Sequence, residues 1–265
     1  MSVVFSLSVS VAKKIYGKTD KKLVKGGVML DIQHLTKTYK GGKKAVDNLS
    51  LRVEAGDIYG FIGANGAGKT STIKSIVGIH DFNSGEIYIC GHSIKDEPLA
   101  CKRSMAYLPD NPDLYENLTG FQFLDFIADI YRISMEKRLQ YIDKYADIFE
   151  LKDSLNKLIA AYSHGMKQRL ALIAALLHEP KLLILDEPFV GLDPKGAFYF
   201  KQIMKELAGK GCAIFFSTHV LEVAEELCTK IAILQKGHLV ANGKTAEVKG
   251  SSSLEEVFME LQDYD

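Results

Sequence analysis

Ile58-Tyr-Gly-Phe-Ile62, then Gly63-Ala64-Asn65-Gly66-Ala67-Gly68-Lys69-Thr70, then Ser71-Thr-Ile-Lys-Ser-Ile-Val77 is the stretch that decides the fold. An apolar, β-favouring run feeds a glycine-rich turn, which opens into a segment with helical spacing, the context a P-loop requires. Glycines let successive backbone N–H groups curl round an anion without Cβ clashes. The new helix adds its unpaired amides and positive dipole end. The expected guest is a polyphosphate, with Lys69 reaching the β- and γ-phosphates as a point charge and the Thr70 hydroxyl ligating Mg2+. A glycine turn that merely joins strand to helix would not need every fixed position and both flanks to match.

Outward from that loop, composition sets bounds. The chain has 265 residues, of which 47% are hydrophobic, enough material for one large domain or two small ones with a real core. Thirty-three basic residues balance 33 acidic ones, so no global field draws the chain to nucleic acid or to an anionic membrane. Cys90, Cys101, Cys212 and Cys228 are scattered, with no C-x-x-C pair, and read as reduced thiols of a cytosolic compartment. No apolar run approaches the roughly 18 residues needed to span a bilayer. Any membrane contact is therefore expected through a partner.

Residues 1–28 fit the rest poorly. Their apolar run precedes its lysines, whereas a secretory signal has its charges first. They are read as an extension ahead of Met29, with an extra edge strand as the alternative. Leu30-Asp-Ile-Gln-His-Leu35 and Leu49-Ser-Leu-Arg-Val53 alternate like half-buried strands on either side of the Lys40-Gly-Gly-Lys43 turn. Tyr39 at that turn could stack on a purine or pack on its own strand's neighbours. Short strands are expected at Glu86–Cys90 and at Met105–Leu108, the latter ended by Pro109. From Thr119 to Glu150 the apolar spacing changes to three and four, which marks amphipathic helices inserted in an α/β chain.

Ser163 is placed to cap a helix running from Met166 to Leu177. Next comes Lys181-Leu-Leu-Ile-Leu-Asp186-Glu187-Pro188, a fully apolar strand ending in two carboxylates. Such a strand is buried on both faces in a parallel sheet, and ligands of open α/β sheets sit at its C-terminal end. Asp186 is thus expected in the shell of Mg2+, with Glu187 orienting or activating the attacking water. Cys212-Ala-Ile-Phe-Phe-Ser-Thr218 is a second buried strand with His219 at its tip. Lys230–Leu234 and His238–Ala241 read as a hairpin, and Ser252–Leu261 as a last amphipathic helix.

Over about residues 29–265 the chain resembles the ATP-binding subunit of an ABC transporter. The family's motifs fall in order on Tyr39 (the A-loop aromatic), Gly63–Thr70 with Ser71 (Walker A), Tyr162-Ser163-His164-Gly165-Met166 (signature), Leu182–Asp186 with Glu187 (Walker B), Gly191-Leu192-Asp193 (D-loop) and His219 (switch histidine). The resemblance implies a P-loop α/β core with a mostly parallel sheet, an antiparallel β subdomain and a helical insertion at about 111–165. It implies ATP and Mg2+ as ligands, with Tyr39 stacking on adenine. Two subunits would pack head to tail, each ATP lying between one P-loop and the other subunit's Ser163, Gly165 and Met166. Asp193 would align the partner, and Lys69, Glu187 and His219 would carry hydrolysis.

Two departures stand out. The signature has Tyr162, His164 and Met166 where the family usually has leucine, glycine and glutamine. At the Q-loop, Pro109 leads to Asp110 instead of glutamine, a charged candidate for the metal shell with a shorter reach. An acidic residue there resembles the exporter-type group with separately encoded membrane subunits. The implied partners are a transmembrane permease and a second ATP-binding subunit, on the cytoplasmic face of the membrane and with no specific nucleic acid. The alternative is a soluble ABC-type ATPase working in iron–sulfur assembly, on ribosomes or in DNA repair. The spacing from Thr70 to Ser163 excludes the long coiled coil of chromosome-type relatives, and a single motif set excludes the two-domain ribosomal type.

Overall fold

The computed structural model describes residues 27–263, and for residues 262–263 the backbone alone. The extension or edge strand expected at residues 1–28 therefore lies almost wholly outside the described residues. Alternating apolar residues build β1 (Val28–Thr38) and β2 (Lys44–Glu54), which pair antiparallel with Asp31 opposite Arg52. β4 (Ser84–Ile89) joins the other edge of β1, and β5 (His92–Ser93) completes a four-stranded sheet in the order β2-β1-β4-β5.

The second sheet has six strands. β3 (Ile58–Ile62), β6 (Met105–Leu108), β7 (Leu182–Asp186) and β8 (Ala213–Thr218) run parallel and are almost wholly apolar, as strands covered on both faces must be. β9 (Lys230–Gln235) and β10 (His238–Lys244) form the expected hairpin, and β9 also pairs parallel to β3. The order is β10-β9-β3-β8-β7-β6.

Period-two alternation sends each strand's residues into two cores. Tyr59, Phe61, Leu182, Ile184 and Phe215 face the antiparallel sheet and the P-loop helix α1 (Lys69–Ile76). Ile58, Ile62, Leu183, Leu185 and Phe216 face the helical layer. Each fully buried side chain of this size contributes about 1.5–3 kcal/mol against exposure.

After α2 (Pro98–Ser104) and β6, the chain leaves the sheet for α3 (Gly120–Ile130) and α4 (Met135–Ile148). α3 opens on a capping box in which Thr119 and Gln122 exchange backbone bonds, worth about 1 kcal/mol. Arg138 of α4 pairs with both Asp125 and Asp129 of α3 and locks the two helices together. α5 (His164–Leu176) starts two residues before the expected Met166, because an N-cap at Ser163 makes His164 the first helical residue. α6 (Pro194–Gly209), α7 (Leu221–Leu227), α8 (Thr245–Lys249) and α9 (Leu254–Asp263) follow. The short α8 carried too few apolar positions to be read from the sequence.

All four cysteines are buried and free, and burial pushes the Cys101 and Cys212 thiols up to about 12, so they act as small core hydrophobes. No helix among the described residues is long and apolar enough to cross a membrane.

Candidate nucleotide site

The strand order places the tips of β3, β8 and β7 side by side, with Ile62 opposite Thr218 and Asp186 opposite Ser217. Residues far apart in sequence converge there. From β3 the chain turns through Gly63–Gly68, and Gly68 caps α1 with φ 112°, a left-handed conformation that strains any residue with a side chain. A Cβ on Gly68 would also stand 2.2 Å from the Ala45 carbonyl oxygen, so both backbone and space demand glycine.

Lys69 is buried to 6% exposure, yet its ammonium is held at the loop: Nζ donates to the Gly63 carbonyl at 2.6 Å and lies 3.5 Å from a Glu187 carboxylate oxygen. The other Glu187 oxygen is 3.0 Å from His219 Nδ1. Glu187 itself sits at φ 48°, an uncommon conformation for a non-glycine residue and one recurrent at functional sites. The three expected catalytic residues thus form one contiguous chain of contacts, Lys69 to Glu187 to His219.

Asp186 is buried at 2% exposure. Burial raises its carboxyl above the usual range, and the neighbouring Glu187 and Asp110 charges push the same way, while hydrogen bonds from Ser217 and Thr70 oppose them. Ser217 Oγ donates to Asp186 Oδ1 at 2.6 Å and accepts from the Glu187 N–H at 3.0 Å. This one hydroxyl fixes both carboxylate-bearing residues. The sequence showed Ser217 only as a polar residue in an apolar strand; its role comes from the cross-strand register with Asp186.

Of the expected metal ligands, Thr70 hydrogen-bonds Asp186, while Asp110, exposed just past the end of β6, acts on Asp186 through its charge alone. Among the described residues no group of three or more His, Cys, Asp or Glu could hold a metal alone. A buried carboxylate with a hydroxyl neighbour beside an anion cradle does suit a hard cation that arrives with phosphates and keeps waters, as Mg2+ does. The buried Tyr107 hydroxyl, which has no protein partner and feels both Asp186 and Asp110, is a further oxygen at this place.

Tyr39 lies on the flank of α1, where its hydroxyl is 3.1 Å from both Ser71 Oγ and His80 Nδ1. Its ring is 38% exposed, with Lys37 Nζ 5.1 Å from the ring centroid. Ala64, Asn65 and Gly66 are exposed on the outer turn of the loop, while Ala67 is buried.

Ser163, Gly165 and Met166 form a second place. Ser163 Oγ accepts the Met166 N–H at 3.3 Å, and the residue is exposed. A Cβ on Gly165 would come within 2.8 Å of the Gly191 carbonyl, so the start of α5 and the loop bearing Asp193 touch at backbone distance. Gln168 braces them from beneath, donating to the Pro188 carbonyl at 3.3 Å. No hydrogen bond or ion pair among the described residues joins Ser163, Gly165 or Met166 to Lys69, Thr70, Asp186 or Glu187.

Comparison with known proteins accounts for this geometry. Residues 46–190, more than half of the chain, match the family model described as ABC transporter. An uncharacterized ABC transporter ATP-binding protein of Bacillus subtilis, YhcH, is 39% identical over 214 residues, spanning 80% of this chain and 68% of its own. A solved ATP-binding subunit of an ABC transporter superposes with TM-score 0.85 at 34% identity, covering 88% of this chain and 99% of that one. The ATP-binding cassette MJ0796, solved as a dimer in a post-hydrolysis state bound to ADP and Pi, gives TM-score 0.75 at 26% identity over 82% of this chain and 99% of its own. Transporter subunits among the relatives favour transport over the soluble alternative. The chain belongs to the ABC transporter family as one of its ATP-binding, ATP-hydrolysing subunits.

Proposed function

We propose that this chain hydrolyses ATP between two subunits packed head to tail, and that closing and opening of this pair drives a separate transmembrane permease from its cytoplasmic face. The contact chain Lys69–Glu187–His219 at the tips of adjacent strands is the observation that carries the reading.

In this reading the amides of residues 63–70 and the Lys69 ammonium hold the β- and γ-phosphates. Tyr39 stacks on the adenine, and Ser71 lies on the same flank. Thr70 and Asp186 would hold Mg2+, with Asp110 as a further carboxylate near them. When bound, the metal neutralises phosphate charge and orients the γ-phosphoryl group for in-line attack. Glu187 accepts the proton of the attacking water. His219, already 3.0 Å from Glu187, holds that carboxylate in place through Nδ1 beside the expected γ-phosphate position.

The partner subunit supplies the other wall. Ser163 offers an exposed side chain at a helix start, and the positive end of that helix at Gly165 and Met166 would face an anion already held on its far side, although the Met166 N–H is itself taken up by the Ser163 cap. Asp193, exposed beside Gly191, aligns the two chains. Loss of the γ-phosphate removes the contacts that hold the pair shut.

The helices inserted between β6 and α5 are the docking element for the permease. Tyr115 is 60% exposed there, edge-to-face with the half-exposed Phe126, while Leu114 and Leu118 pack back on the core. The test is to express a tagged Glu187→Gln chain in its own host, load detergent-solubilised membranes with ATP and Mg2+, and identify what co-purifies. A stoichiometric polytopic membrane protein is expected; recovery solely with soluble ribosomal, repair or cluster-assembly proteins would overturn the transport assignment.

A further inference from the structure

We infer that His80 is a positioning residue for the nucleotide base: it and Ser71 fix the Tyr39 hydroxyl from two sides, so that the exposed ring face is presented in one orientation to a purine. This rests on the reading of Tyr39 as the adenine platform.

Tyr39 is held in its turn by the backbone, its N–H donating to the Lys43 carbonyl at 2.9 Å and its carbonyl accepting from the Gly42 N–H at 3.1 Å, but these bonds leave its side-chain torsions unset. It follows the end of β1, and the turn after it contains Gly41 and Gly42, both at positive φ. A ring free to turn about its side-chain torsions would lose that freedom each time it stacked on a base, and fixing it beforehand removes that cost. The hydroxyl is 3.1 Å from His80 Nδ1 and 3.1 Å from Ser71 Oγ, and the His80 ring packs edge-on at 5.9 Å with an 88° interplanar angle. The tyrosine is therefore held at its tip and along its side, with Lys37 Nζ 5.1 Å from the ring centroid and 38% of the residue exposed.

His80 is firmly anchored in turn. It follows the last turn of α1, where the N–H groups of Ile79 and His80 both donate to the Lys74 carbonyl, at 2.9 and 3.0 Å. The segment after it is tied to β1 by three bonds: Lys37 Nζ to the Asp81 carbonyl at 2.5 Å, the Thr38 N–H to Asn83 Oδ1 at 2.6 Å, and the Asn83 N–H to the Thr36 carbonyl at 2.9 Å. Partial burial and the nearby Lys74 and Lys37 charges lower the His80 pKa, outweighing Asp81, so the ring is neutral near pH 7 and Nδ1 can accept the Tyr39 proton. Ser71 is then left to donate to the same oxygen. Nothing in the sequence around Gly78-Ile-His80-Asp81 marks this role, which appears only when the end of α1 folds back beside Tyr39.

The test measures binding of ATP and of inorganic tripolyphosphate, at one Mg2+ concentration, to the full chain carrying His80→Ala, His80→Asn, Tyr39→Ala or both alanines. His80→Ala should weaken ATP about fivefold, the scale of one net hydrogen bond, and leave tripolyphosphate unchanged. His80→Asn, whose amide oxygen can take the place of Nδ1, should recover most of the loss. Adding His80→Ala to Tyr39→Ala should cost nothing further. If Tyr39→Ala weakens ATP selectively and His80→Ala does not, the positioning role is overturned while the adenine reading stands. Equal weakening of both ligands by His80→Ala also overturns it, since His80 would then act on the P-loop itself. If Tyr39→Ala leaves the ratio of the two affinities unchanged, the adenine reading fails and the inference falls with it.

Discussion

Glu187 Oε1 lies 3.5 Å from Lys69 Nζ, an ion pair in which both side chains are largely withdrawn from water, at 14% and 7% exposure. A buried cation keeps its charge only with partners, and those of Lys69 are this carboxylate and the carbonyls of Gly63 and Ala64. All lie on the inner rim of the phosphate cradle. Lys69→Ala removes the cation that a triphosphate needs and leaves Glu187 facing the cradle with its negative charge less compensated. ATP binding should fall below detection in a calorimetric titration; unchanged affinity would remove the P-loop assignment.

Glu187→Gln keeps the shape of the side chain and one acceptor oxygen but removes the charge and abolishes its basicity. ATP affinity should be retained while steady-state phosphate release falls by at least roughly a hundredfold, the scale of a positioned base. Near-wild-type turnover would move that role to another group.

Asp110→Gln exchanges a charged oxygen for the longer neutral amide that the family pattern leads one to expect. Asp110 helps raise the Asp186 carboxyl, so removing its charge should ease ionisation of Asp186 as well as change the ligand. The Mg2+ concentration for half-maximal hydrolysis should shift; an identical metal titration would show that Asp110 takes no part in metal binding.

Much of this arrangement was written locally. The Gly63–Thr70 turn, the apolar run into Asp186 and the polar tip at His219 are each readable because a few consecutive residues carry the pattern. What was not readable depends on which strands become neighbours. Ser217 bridges Asp186 and the Glu187 backbone only because β7 and β8 pair in one register, and a one-residue slip would turn its hydroxyl to the other face. The parallel pairing of β9 with β3 and the packing of Gly165 on Gly191 are of the same kind. Distance information of that sort has no periodicity to announce it.

The same holds for His178, whose titration gives the last prediction. It lies in the turn after α5, stacked on Tyr131 at the end of α3 with ring centroids 3.7 Å apart and an interplanar angle of 10°. Its Nε2 is 3.2 Å from the Met105 carbonyl of β6, and its buried Nδ1 has no partner. Three elements meet on one imidazole at the junction of the helical layer and the sheet. Burial lowers its pKa from the usual 6.5 to about 4, outweighing the Met105 bond. In the unfolded chain the ring takes up its proton near pH 6.5, whereas in the folded chain it does not until about pH 4, so the unfolded state binds more protons between those values. Stability is therefore full above pH 6.5 and is lost as pH falls toward 4, by about 2 kcal/mol at pH 5 from this group alone. His178→Phe keeps an aromatic ring against Tyr131 but cannot titrate. Urea unfolding at pH 7 and pH 5 should show the drop in stability shrinking by about that amount in the variant; an equal drop in both proteins would mean that His178 is already protonated in the native fold.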